Sequence, residues 1–110
     1  MREIHSLFAV LLLVATAAQA QQQAPAGKRL FDRYCAECHA PSFGHPGTQR
    51  LALKKGAADA VLEQRKDLNA DYVRAVVRSG LMEMPPFRPT ELADRELADL
   101  ASYLAKERAR

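Results

Sequence analysis

The fold of this chain is decided by Cys35-Ala36-Glu37-Cys38-His39. Two thiols three residues apart can add across the two vinyl groups of a haem, and a histidine beside the second thiol can reach the iron from the same side. The five residues read as a c-type haem attachment site, with Cys35 and Cys38 holding the porphyrin and His39 ligating the metal. They include both cysteines of the 110-residue chain. Three rival chemistries use parts of this pattern. A thioredoxin-like redox pair needs a preceding strand within a βαβ unit, and no such pattern flanks the motif. A zinc centre needs a fourth ligand, and past the first 20 residues the one spare histidine is His45, in a glycine-proline stretch. A plain disulfide closing so short a loop would stabilise little and would leave His39 idle.

Working outward, Leu30, Phe31, Tyr34 and Cys35 fall at i, i+1, i+4 and i+5, so the spacing predicts a helix from Lys28 to Cys35. Pro41 and the run Gly44-His45-Pro46-Gly47 break any periodicity, which predicts loop over residues 40–50. Ala58 to Lys66 reads as helical with Val61 and Leu62 inward. Asn69 can cap a short helix in which Tyr72, Val73, Val76 and Val77 share a face, and Gly80 is suited to stop it in a left-handed conformation. Pro85-Pro86-Phe87-Arg88-Pro89 cannot be helical, because its prolines lack three backbone donors. Thr90 or Asp94 then starts a helix carrying Leu97, Leu100, Ala101 and Leu104 at i, i+3, i+4 and i+7. The pattern is helices joined by loops, with no convincing strand and no internal repeat.

The beginning of the sequence has a different character. An uncharged run of 12 residues, Leu7 to Ala18, is followed by the small-x-small pattern Ala18-Gln19-Ala20, which reads as an export signal cleaved after Ala20. A spanning helix needs about 20 apolar residues. No basic stop-transfer cluster follows the run, so no stable membrane anchor is expected and the domain is placed in the periplasm. Residues 21–26 read as a flexible leader and 27–110 as the folded domain. The formal net charge of +3 is spread over scattered lysines and arginines without aromatic interleaving, which excludes a nucleic-acid binder. Only 24 apolar side chains larger than alanine follow residue 20, a marginal core for a domain of this length. A large covalent apolar cofactor would supply the missing centre, so the apoprotein is expected to fold poorly.

A second axial ligand separates electron carriers from oxygen-binding or peroxidase haems. Met82 and Met84 are the candidates, and Met84 is preferred because Pro85 stiffens the backbone beside it. Met82 is expected to act as a packing residue.

These residues resemble the small class I cytochromes c. The resemblance rests on Gly27-x-x-x-Phe31-x-x-x-Cys35-x-x-Cys38-His39, Gly80-x-x-x-Met84-Pro85 and Leu100-x-x-Tyr103-Leu104, and covers nearly all of residues 27–105. It implies an all-α class I cytochrome c fold, short helices and loops packed around one covalently attached haem c. It also implies that Gly27 and Phe31 pack near Leu100 and Tyr103 where the first and last helices cross, and that the Pro46 carbonyl stands behind the His39 ring. The stretches His45 to Gln49, Leu62 to Leu68 and Met84 to Glu91 are similar to the cytochrome subunits of flavoprotein dehydrogenases for para-alkylphenols, the p-cresol methylhydroxylase type.

That narrower resemblance implies a chain that is not catalytic alone. It takes electrons singly from a separate flavoprotein dehydrogenase subunit and passes them to a downstream acceptor. A free periplasmic shuttle to a terminal oxidase or reductase is the alternative; a haem peroxidase would require Met84 to dissociate and His45 to act as base. The haem edge is expected to form the docking surface, bordered by Phe43, Met82, Pro86 and Phe87 and ringed by Arg50 and Arg88. Phe43 and Phe87 could equally serve to cover the haem. Arg50 and Arg65 are candidates for propionate partners, and His45 is read as a solvated loop residue.

Overall fold

A computed structural model of the chain describes residues 24–107, so residues 1–20, read above as an export signal, and residues 21–23 of the expected leader lie outside the described residues. Among the described residues five α-helices follow one another: α1 (Ala26–Tyr34), α2 (Ala36–His39), α3 (Pro46–Lys55), α4 (Ala70–Ser79) and α5 (Asp94–Leu104). Two short 3-10 turns, Ala57–Asp59 and Leu62–Gln64, join α3 to α4. The one extended pairing among the described residues is an isolated antiparallel bridge between Leu81 and Met84. The architecture is all-α, as the sequence predicts.

The core lies where α1, α4 and α5 meet. Phe31 from α1, Val73 and Val77 from α4, and Leu97, Leu100, Ala101 and Leu104 from α5 form one buried cluster, which Leu68 and Leu92 extend into the connections. The α5 stripe is thus buried along its whole predicted register. The crossing of α1 and α5 is close because Gly27 has no side chain. A Cβ there would run into Tyr103 Cβ and lie 2.5 Å from the Asp99 carbonyl oxygen.

Polar contacts fasten the crossing to the second 3-10 turn. Tyr103 donates its hydroxyl to the Glu63 carboxylate, Lys28 Nζ lies 3.2 Å from the same carboxylate, and Lys106 Nζ donates to the Glu63 and Arg65 carbonyls at 3.0 and 2.9 Å.

The helix ends of α4 follow the expected chemistry. Asn69 Oδ1 accepts the Tyr72 N–H at 2.8 Å. Gly80 closes the helix at φ +72°, donating to the Val76 carbonyl at 2.8 Å. Of its predicted apolar face, Val73 and Val77 are buried and Tyr72 is exposed at the rim. In α5 the Glu96 carboxylate accepts the Ala93 N–H at 2.9 Å, half of a reciprocal cap.

Two expectations fail. Residues 46–50 are the start of α3, where the sequence reads as loop: Pro46 occupies the first helical position, where a missing N–H costs nothing and its φ is already helical. The segment 58–66 is two separate 3-10 turns where a helix is predicted. Val61 is extended at φ −91°, ψ 109°, turning Ala60 and Leu62 inward on either side of it. The ammonium of Lys106 satisfies carbonyls that a helical ladder would otherwise have used, so tertiary contact overrides local propensity.

Candidate functional site

The attachment motif spans the joint between α1 and α2. Cys35 ends α1, donating its N–H to Phe31 O at 2.8 Å, and its own carbonyl accepts from Cys38 N at 3.1 Å and His39 N at 2.8 Å. Both thiols and the imidazole therefore project from one tight turn fixed to the buried Phe31. Cys35 is half-buried against the core and Cys38 is exposed. Burial, with a smaller contribution from Cys38, pushes the Cys35 thiol up to about 12. For Cys35 this is the opposite of the lowered thiol pKa that drives thiol–disulfide exchange.

Burial also lowers the His39 pKa, which favours the neutral imidazole, the form that ligates a metal. The ring is held in a slot that exists because residue 47 is glycine. A Cβ on Gly47 would stand 2.6 Å from His39 Cε1, 2.8 Å from Nδ1 and 2.7 Å from the Cys38 carbonyl oxygen. Nδ1 is buried without a hydrogen-bond partner, so it makes no bond to the Pro46 carbonyl expected behind the ring. As the first residue of α3, Pro46 turns its carbonyl into that helix's own ladder.

Neighbouring contacts lock α3 against α2. Thr48, buried, donates Oγ1 to the Ala40 carbonyl at 2.8 Å. His45 Nδ1 lies 2.9 Å from the Glu37 carbonyl, so His45 is half-buried and engaged where solvation was expected. The role of Thr48 is invisible while 40–50 reads as loop; the available signal was Pro46 two residues before a small polar side chain.

Met84 packs against the same core as Cys35, whereas Met82 is 64% exposed. Leu81 N donates to Met84 O at 3.1 Å and Met84 N to Leu81 O at 3.0 Å, which closes a tight turn with Met82 and Glu83 at its tip. Met82 sits there at φ +54°. The packing role expected of Met82 is therefore taken by Met84, and Met82 faces solvent. Phe43, at 93% exposure, Leu81, Met82 and Pro86 are exposed apolar residues in and next to these loops. Phe87 instead turns inward and meets the Tyr34 ring edge-on, with centroids 6.1 Å apart.

Neither arginine considered for the propionates is free. Arg50 Nη2 pairs with Glu83 at 3.2 Å across to the Met82 turn. Arg65 is 5% exposed and grips Asp67 with two bonds of 2.8 and 2.6 Å.

A neutral imidazole in a glycine-walled slot, its Nδ1 unpartnered, and two thiols on the adjacent turn fit the donor set that a covalently tethered haem requires. The Met84 thioether on the same core is a soft, neutral donor of the type that a haem iron accepts. No helix among the described residues is long and apolar enough to cross a membrane.

Residues 22–104 match the family described as cytochrome C oxidase, cbb3-type, subunit III. The chain is 35% identical over 95 residues to the cytochrome c subunit of 4-cresol dehydrogenase [hydroxylating] from Pseudomonas putida, an alignment covering 86% of this chain and 72% of that one. No solved structure gives a significant match.

Proposed function

From the premise that this chain belongs to the cytochrome c family, and is therefore a haem protein, we propose that it is the single-haem electron-transfer subunit of a flavocytochrome. In this reading Cys35 and Cys38 would carry one covalent haem c, His39 and Met84 would ligate its iron, and residues 27–110 form the cytochrome domain. Export through residues 1–20 delivers it to the periplasm. A flavoprotein dehydrogenase for a 4-alkylphenol or related substrate is the electron donor, and a downstream carrier takes the electrons on. The observation that carries the proposal is the joint between α1 and α2, which presents two thiols and a half-buried imidazole from one turn. The similarity to the 4-cresol dehydrogenase subunit supports the choice of donor.

When bound, the haem supplies reversible one-electron chemistry. The chain's own residues set the conditions. Cys35 and Cys38 fix the porphyrin to the end of α1, so its position follows that of Phe31. Gly47 leaves room for the His39 ring, and α3 closes over it. Met84 would hold the iron together with His39, and as a neutral, soft donor it would favour the reduced state and raise the potential. The exposed apolar residues Met82, Leu81 and Pro86, next to Met84, form the contact surface for the flavoprotein.

The test is reduction of the purified holoprotein by a 4-alkylphenol in the presence and absence of the flavoprotein subunit. The expected result is the reduced c-type spectrum only when both are present, with intact mass equal to the chain from Gln21 plus one haem. A secreted chain without the added mass would overturn the cofactor assignment. A loaded chain that the flavoprotein cannot reduce would leave the free shuttle as the better reading.

A further inference from the structure

The segment carrying Met84 has almost no secondary structure of its own to hold it. From Met84 the chain runs through Pro85 and Pro86, two residues with no N–H and with φ locked by their rings, to Phe87. The Pro-Pro pair is a stiff spacer, so the placement of Met84 depends on how firmly Phe87 is fixed.

Both backbone groups of Phe87 are tied to the last turn of α4. Its N–H donates to the Val77 carbonyl at 2.8 Å, and its carbonyl accepts from Arg78 Nη1 at 3.1 Å. The second prong of the same guanidinium, Nη2, donates to Asp94 Oδ1 at 2.6 Å at the first residue of α5. Arg78 is mostly covered, whereas the Asp94 side chain is 89% exposed, so the ion pair orients the fork while the covered bond to the Phe87 carbonyl does the holding.

The geometry points to Arg78 as a positioning residue for the thioether ligand: its planar fork fastens Phe87, and through the Pro85-Pro86 spacer it keeps the Met84 sulfur in place. A lysine, with one point-like ammonium, cannot reproduce both prongs in fixed directions. The inference rests on the reading of Met84 as axial ligand.

The experiment is equilibrium binding of imidazole to the ferric holoprotein, followed by loss of the long-wavelength band of iron–sulfur ligation, with the denaturant midpoint measured in parallel. An external ligand enters only when the thioether leaves, so its apparent affinity reads the hold on Met84. R78Q is expected to raise that affinity about tenfold, the equivalent of one lost hydrogen bond. D94N, which removes the ion pair and keeps the bond to Phe87, is expected to change it by less than about twofold.

Should R78Q fail to accumulate as holoprotein, R78K carries the test, with a change in the same direction and of smaller size. If the Arg78 variants shift the denaturant midpoint and leave imidazole affinity unchanged, Arg78 is merely structural and the inference falls. It falls too if D94N raises affinity as much as R78Q. M84A separates the two levels: if the band survives that substitution, the ligand assignment itself is wrong, whatever the Arg78 variants do.

Discussion

At the scale of the residue, the two positions with the clearest consequences are Tyr103 and Met82. Burial, together with its bond to the Glu63 carboxylate, pushes Tyr103 up from 10.0 to about 12. The folded chain therefore holds this proton more tightly than the unfolded chain does. The resulting stabilisation is complete below pH 10.0 and drains away as pH rises through about 12. Denaturant titrations of the holoprotein between these limits should show a fall in stability that Y103F lacks, and equal slopes for the two proteins would remove Tyr103 from the account. Met82, at φ +54°, occupies a backbone conformation that side chains disfavour. M82G relieves that strain at the cost of a freer unfolded chain, so it should be neutral or stabilising by up to about 1 kcal/mol. A loss of stability on thermal unfolding would mean that the side chain packs in a way its exposure does not indicate.

Elements extend the same reasoning. α4 starts on a side-chain cap, and N69A should cost about 1 kcal/mol in denaturant unfolding, with the loss confined to stability and the reduction potential unmoved. The helices legible in the sequence are those whose signals are local: the Leu97, Leu100, Ala101, Leu104 stripe, the Asn69 cap, the Gly80 stop. The attachment motif was legible for the same reason, since its chemistry is written in five consecutive residues. What escaped was set by partners far away. Pro46 reads as a breaker until Thr48, two residues on, is seen bonded to Ala40. Ala58 to Lys66 reads as helix until Lys106, some 40 residues on, is seen holding its carbonyls. Arg65 looks like one more solvated charge until its burial beside Asp67 is known. Periodicity carries no information on contacts of that range.

For the molecule as a whole, the described core is one small cluster drawn from three helices and their connections. The turn that carries the thiols is tied to it through Phe31 and Cys35, and Met84 lines its edge. A chain denied its cofactor loses the apolar body about which these edges are arranged. The C35A/C38A double variant should accordingly show well under half the helical circular dichroism of the holoprotein and a non-cooperative thermal transition. Native-like helicity with a sharp transition would show that the polypeptide core suffices alone.

The meeting of α1 with α5 also imposes an order of events. The partner that buries Phe31 is encoded some 70 residues further on, so the closest helix pair in the fold cannot assemble until synthesis has passed Leu104. Until then the first helix is an unfinished edge with its sulfurs a single turn away, open to whatever chemistry is to be performed on them. The closing of the far helix onto Gly27 and Phe31 completes the buried cluster.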